Sequence, residues 1–478
     1  MGAGLLILAS TPNGDPDATA VSVTIDARHP GGPVPRSFNG LSFELTSLRE
    51  IARLWRSGNM VALLRSLGPG VLRFGGASAD TRIAWTDRAT PLPPWASAAL
   101  EASDLRELKR LADRSGWRVL LTIGLAHFDA RAAAREAAAA KAALGSSLAG
   151  FELGNEPDSY AEHGLRTLPW RFPKYAGEAR SYWQAIAKAA PNVPLLGPDA
   201  SGSRVFKRWG PGEVRRLHPA ELTAHHYPLG CLQVPGPTIE ALLSPHTRGL
   251  EAVSVRRFMA VSHASAIPFR LDEANTVSCG GAPGISDTFA SALWATDYIA
   301  RAMAAGMAGI NLHGNPANCA GYAPLCAPTP ERLLSGALRA QPEWYALLLD
   351  RALIGDRPVR AIVSEQGRGN LDLTALQSGG GRLHLVVVDD DPLEDAPTVL
   401  SLHVGRRFGA ASLLALTAPS PTARSGVKLG DRTVAGDGRW DQPAVVPQSP
   451  NHGGTVKVQL PPSSAMLITL APTHGKGR

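Results

Sequence analysis

Two short stretches of the chain carry glutamates where an apolar run gives way to polar residues. The first is Phe151-Glu152-Leu153-Gly154-Asn155-Glu156-Pro157; the second is Phe269-Arg270-Leu271-Asp272-Glu273-Ala274-Asn275. If both runs are strands and their ends face one another, two carboxyl groups meet across a site. One can then protonate a leaving oxygen while the other attacks the carbon it departs from, which is the arrangement that retaining glycoside hydrolysis needs, at a separation of about 5–5.5 Å. In that scheme Glu156 is the acid and afterwards the base, kept protonated by a neighbouring ionised carboxylate and by partial burial. Asn155 is placed to hydrogen-bond a sugar 2-hydroxyl. Asp272 and Glu273 both remain open as the nucleophile, because strand alternation turns one inward and the other toward the surrounding helices. A lone glutamate in such a loop is ordinarily a solvated surface residue. The pairing of two of the right type after two separate strands favours chemistry.

The elements that must position these groups follow from hydrophobic periodicity. Between about residues 37 and 353, short apolar runs alternate with helical patterns, and eight strands are expected at 39–43, 70–74, 118–123, 149–153, 193–197, 221–225, 268–271 and 308–312. Helices are expected at 101–115, 130–144, 174–190, 250–265 and 285–305. Eight such units close into a (β/α)8 TIM barrel of the α/β class, with its active groups at the C-terminal strand ends. Glu156 then follows the fourth strand and Glu273 the seventh. Residues 201–219 and 229–245 read as long loops that shape the site. From 354 to 478 the rhythm becomes alternating segments at 383–388, 398–404, 412–417 and 455–460, an antiparallel β-sandwich domain. An isolated alternating stretch at 21–27 precedes the barrel.

Composition narrows the function classes. With 478 residues, 44% hydrophobic and 19% charged, the chain can bury a large core. Its net charge of +7 comes from scattered basic residues without a basic block, so a nucleic-acid partner is not expected, whereas an anionic substrate is favoured by steering. No apolar run reaches the roughly 18 residues of a membrane span. The segment Leu5 to Ala9 resembles the tail of an export signal. The four cysteines, Cys231, Cys279, Cys319 and Cys326, match no zinc or haem pattern, so neither a metal nor a cofactor is expected.

With these residues in place, the sequence resembles glycoside hydrolase family 79, the β-glucuronidases and heparanases. The most specific part is 270–314, from Arg-Leu-Asp-Glu-Ala-Asn through Ser286 to Trp294 and on to Asn311-Leu312-His313-Gly314. Gly40 to Glu44, Leu72 to Gly76 and His225-His226-Tyr227-Pro228 add to it. The resemblance implies Glu156 as acid/base, Glu273 rather than Asp272 as nucleophile, and Glu44 on the sugar hydroxyls. It also implies Tyr227 on the nucleophile, and His313 with Gly321-Tyr322 around the carboxylate of a uronic acid. It implies further that the stretch at 21–27 joins the C-terminal domain. Where several family members carry a tyrosine near that carboxylate, this chain has Ser278. His226, Arg73, His127 and Asp199 are read as barrel scaffold.

The expected substrate is therefore a β-linked glucuronide or another uronic-acid glycan. An endo-acting enzyme, another glycosidase of the same clan, and a carbohydrate-binding protein on an inactive barrel are the alternatives; binding alone needs neither an acid nor a nucleophile. Cys231 and Cys279 follow the sixth and seventh strands, whose loops are neighbours, and Cys319 and Cys326 bracket Gly321-Tyr322. Two disulfides, Cys231–Cys279 and Cys319–Cys326, are expected, and with them an oxidising compartment outside the cell. The competing expectation is four small buried thiols.

Overall fold

A computed structural model describes residues 19–87, 91–364 and 369–473. The export-signal reading of Leu5 to Ala9 lies outside them. Eight parallel strands form the inner sheet: Asn39–Glu44, Val71–Gly75, Arg118–Ile123, Leu148–Leu153, Leu196–Ala200, Glu221–His226, Phe269–Ala274 and Gly309–His313. Each is hydrogen-bonded to its sequence neighbour, and the last pairs with the first. Only the seam between the fourth and fifth is loose. There a single parallel bridge, Phe151 to Leu195, with Phe151 N–H donating to Pro194 C=O at 3.0 Å, closes the barrel.

The fifth strand begins three residues later than the apolar run suggests. Pro191 and Pro194 lack the N–H groups a ladder requires, so the run 193–195 contributes one bridge rather than a strand. The stretch 201–219 is corrected more fully: it is the helix Ser203–Leu217, not a loop. Gly210, Pro211 and Gly212 interrupt the helical pattern in sequence, yet Phe206, Trp209 and Leu217 are buried against the barrel. Packing of that face outweighs the one backbone bond that Pro211 removes. The loop 229–245 is largely irregular, with one short helix, Ile239–Leu242.

The other helices form where their ends are satisfied. Ala102–Ser115 starts on a reciprocal capping box between Glu101 and Asp104, buries Leu105, Leu108 and Leu111, and ends at Gly116 in the left-handed conformation. Ala130–Leu144 is capped by the Asp129 carboxylate, which accepts from the N–H groups of Arg131 and Ala132.

The C-terminal strands form one curled sheet of eleven strands, mostly antiparallel, folded over its own core. Thr19–Asp26 joins it in the middle, antiparallel to Arg357–Val363 but parallel to Thr398–His403, which departs from a purely antiparallel sandwich. Strand Leu383–Asp389 shows how the two units share material, since it is buried along its whole length. Leu383, Leu385 and Val387 enter the core inside the curl, whereas Val386 and Val388 belong to the core continuous with the barrel. On that second face lie the helices Phe289–Ala304 and Pro342–Asp350, buried almost throughout. No helix among the described residues is long and apolar enough to cross a membrane.

Candidate active site

Leu148–Leu153 ends in Gly154 at φ 74°, and the chain then turns through Glu156, itself at φ 48°. The turn is anchored by Asp80, whose carboxylate accepts from the N–H groups of Asn155 (2.7 Å), Leu125 and Ala126. This projects Glu156 from the fourth strand toward the seventh. Its Oε1 lies 2.8 Å from His225 Nδ1.

At the seventh strand the register slips between Leu271 and Glu273. Such a bulge puts two consecutive side chains on one face, so the expected alternation fails and both carboxyls turn into the barrel. They do not share a fate. Asp272 is sealed below, 3.4 Å from Arg73 Nε, whereas Glu273 stands at the mouth, 3.7 Å from the same His225 Nδ1 that holds Glu156. The Oε1 atoms of Glu156 and Glu273 therefore cannot lie further apart than those two distances laid end to end.

Glu273 is held from several sides. Arg73 Nη1 donates to its Oε2 at 2.6 Å, the Tyr227 hydroxyl donates to its Oε1 at 2.7 Å, and His313 Nδ1 lies 3.6 Å away. Burial alone would push this carboxyl up, but the charges of His225, His313 and Arg73 and the Tyr227 bond outweigh it and hold it at about 2. It is an ionised carboxylate at any physiological pH.

Beneath the pair lies a network that was not legible as such. Arg73 Nε donates to Glu152 (2.9 Å), and its Nη2 donates to Asp199 (3.0 Å) and to Asn155 Oδ1 (3.0 Å). Arg73 thus touches the candidate nucleophile directly and is more than scaffold. His225 Nε2 lies 2.7 Å from Asp199 Oδ1 and its Nδ1 faces Glu156, so the ring bridges the two carboxyl groups. Burial opposes a charge on the ring, but Glu273 and Asp199 push the imidazole well above its ordinary value. Asp272 is pushed the other way from Glu273: burial, then Asp199 and Glu152, raise it well above the usual carboxylate range. Asp199, His225 and Asp272 have the spacing of a metal triad, but the guanidinium of Arg73 already supplies the counter-charge among them.

The remaining expected residues converge on the same mouth. Glu44 accepts from Ser78 N–H at 2.9 Å and packs on Gly76, whose φ of 68° and missing Cβ leave it room. His313 Nδ1 bonds Ser42 Oγ at 2.9 Å, and its ring meets Tyr322 edge-on. The Tyr322 hydroxyl accepts from Gly280 N–H at 3.1 Å and stands 3.5 Å from the Tyr227 hydroxyl. Gly321 packs on the Gly280 carbonyl so closely that a side chain would collide with it. Both disulfides are present, with Cα separations of 6.0 Å for Cys231–Cys279 and 5.4 Å for Cys319–Cys326, and they brace the two loops that meet at Gly280 and Tyr322. Ser278 accepts from Cys231 N–H at 3.1 Å, which ties it to the first disulfide. His226 stacks on Tyr298 and contacts Glu251, and His127 stacks on Trp95, so neither joins the mouth.

No family model matches the chain. A β-glucuronidase of Aspergillus niger is 32% identical over 179 residues, which covers 34% of this chain and 33% of that protein. A β-glucuronidase of Neurospora crassa is 25% identical over 221 residues, covering 42% and 37%. The chain thus matches only about a third of the length of these relatives. Among solved structures, a 4-O-α-L-rhamnosyl-β-D-glucuronidase from Fusarium oxysporum in complex with Rha-GlcA superposes with a TM-score of 0.73 at 17% identity, covering 94% of this chain and all of that one. A family 51 arabinofuranosidase from Xanthomonas axonopodis pv. citri gives 0.67 at 15%, covering 95% of this chain and all of that one. At such identities the likeness establishes the fold, a barrel with an appended sheet domain.

Proposed function

We propose that this protein is a retaining glycoside hydrolase that cleaves β-linked glucuronic acid, with Glu273 as nucleophile and Glu156 as acid and then base. The observation that carries the reading is the convergence of both carboxyls on one imidazole nitrogen, at 2.8 and 3.7 Å. The resulting upper bound on their separation lies at the short edge of the roughly 6.5–9.5 Å that inverting enzymes need for an intervening water. Glu273, ionised and oriented by Arg73 and Tyr227, attacks the anomeric carbon while Glu156 protonates the leaving oxygen. Glu156, then a carboxylate, takes a proton from the water that releases the sugar. Asn155, fixed through its side-chain oxygen by Arg73 and through its N–H by Asp80, is left with its amide N–H groups for the sugar 2-hydroxyl.

The uronate reading is supported by the β-glucuronidase names of the partial relatives and by the donors around Tyr322. Gly280 and Gly281, at φ 94° and 87°, give a backbone path that other residues rarely adopt and put the Gly280 N–H 3.1 Å from the phenol oxygen. Such a cluster recognises a carboxylate without a salt bridge. Two disulfides in the same loops support export to an oxidising compartment. The test is turnover of 4-nitrophenyl β-D-glucuronide against the matching glucoside. Donors left unpaired by the glucoside cost about 1–3 kcal/mol, so the glucuronide should be favoured by about 5-fold to 150-fold in kcat/KM. Equal rates would remove the uronate, and retention of neither substrate's anomeric configuration, read by NMR of the first product, would remove the mechanism.

A further inference from the structure

A second cavity, of about 170 Å³, opens beside the mouth between the segments that follow the second and third barrel strands. Its walls include Trp85, Trp95, His127 and Tyr182, and its floor is the start of the helix Ala130–Leu144. One polar group in it is unused: Glu136 lines the cavity, is 7% exposed and has no hydrogen bond or ion pair among the described residues. A carboxyl largely withdrawn from water without a protein partner costs free energy that a ligand can recover. The cavity shares a wall with the site already described, because Ala79 lines it while the adjacent Asp80 holds Asn155 in place.

We propose that this cavity is a binding site for one neutral pyranose ring, with Glu136 bonding its hydroxyls and Trp95 and Tyr182 packing on its apolar face. The size suits a single ring. Burial pushes the Glu136 carboxyl up to about 8, so near neutral pH it both donates and accepts, as a pair of sugar hydroxyls requires. His127, stacked on Trp95 at 4.0 Å, is kept neutral by burial and by Arg166. An organic cation would meet Arg135 in the lining and Arg166 behind His127, and an anion would meet Asp129. The inference is independent of the hydrolase reading, since it concerns binding and not turnover.

The experiment is a titration of the full chain with methyl β-D-glucopyranoside, read by tryptophan fluorescence and saturation-transfer NMR, with choline and D-glucuronate as charged controls. Saturable binding of the neutral glycoside is expected, weakened about tenfold or more by Glu136→Leu and by Trp95→Ala and retained by Glu136→Gln. Hydrolysis of a small aryl glycoside should be unchanged in Glu136→Leu, which separates this site from the mouth. The proposal is overturned if the binding curve is the same in Glu136→Leu, if either charged control binds better than the neutral glycoside, or if a crystal soaked in the glycoside shows only water against Glu136.

Discussion

The floor of the barrel mouth and the core inside the C-terminal sheet are equally closed to water and filled in opposite ways. Arg73, Glu152, Asp199, His225 and Asp272 are all fully buried beneath Glu156 and Glu273. Inside the curl pack the apolar side chains of Val21, Leu385, Val387, Leu400, Val456 and Ile468. Apolar burial stabilises in proportion to area, at about 25 cal/mol per Å². Buried ion pairs return little beyond their desolvation cost, and removal of one partner leaves the other stranded. One region therefore contributes stability, and the other consumes part of it to hold two carboxyls in a fixed relation.

The sharpest way to break this contrast is Glu273→Ala. Turnover should fall by on the order of 10⁴-fold or more, while stability falls by less than in Arg73→Met because Arg73 keeps three other carboxyl partners. A large drop in Tm with residual activity would reverse the assignment. Arg73→Met should do both kinds of harm, with loss of about 3–5 kcal/mol by denaturant unfolding together with loss of kcat, since Glu152 and Asp199 are left without their cation. Ile468→Ala in the sheet should cost about 2–5 kcal/mol with kcat and KM unchanged. If kcat falls as well, the two regions are not separable.

A further test is a pH dependence whose sign differs between groups. Glu136, Glu213 and Glu343 are pushed up to about 8 by burial. Between about 4.5 and 8 the folded chain keeps these protons while the unfolded chain releases them, so stability falls as pH rises through that window. Glu273, held at about 2, works the other way. Its contribution is complete above about 4.5 and is lost as pH falls toward 2. Maximum stability is expected near pH 5, and Glu213→Gln should flatten the slope toward pH 8. A Tm that rises from pH 5 to pH 8 would contradict this.

The strands of the barrel were readable because strands buried on both faces are continuous apolar runs. The same rule held the clue to the ionic floor. Arg73 in Val-Leu-Arg-Phe-Gly, Glu152 in Gly-Phe-Glu-Leu-Gly and Asp199 in Leu-Gly-Pro-Asp-Ala are charges inside such runs, and a charge that cannot face water must have a partner. Which charges pair was not legible, because partners up to 200 residues apart meet only when the barrel closes. The bulge that turns Asp272 inward leaves no mark in Arg-Leu-Asp-Glu-Ala. The helix Ser203–Leu217 was hidden for a local reason, since Gly-Pro-Gly in its middle is a turn signal that tertiary packing overrides. The disulfides were legible from the adjacency of loops in a barrel.

The strand Thr19–Asp26 lies between two strands made much later, Arg357–Val363 and Thr398–His403. On a ribosome adding about 5–20 residues per second, its apolar side chains Val21 and Val23 wait for tens of seconds before either partner exists. The barrel has every residue it needs before then, so this strand is synthesised early and is among the last to be placed. The hydrophobic stripe it carries must be kept from other partners until the sheet is ready to receive it.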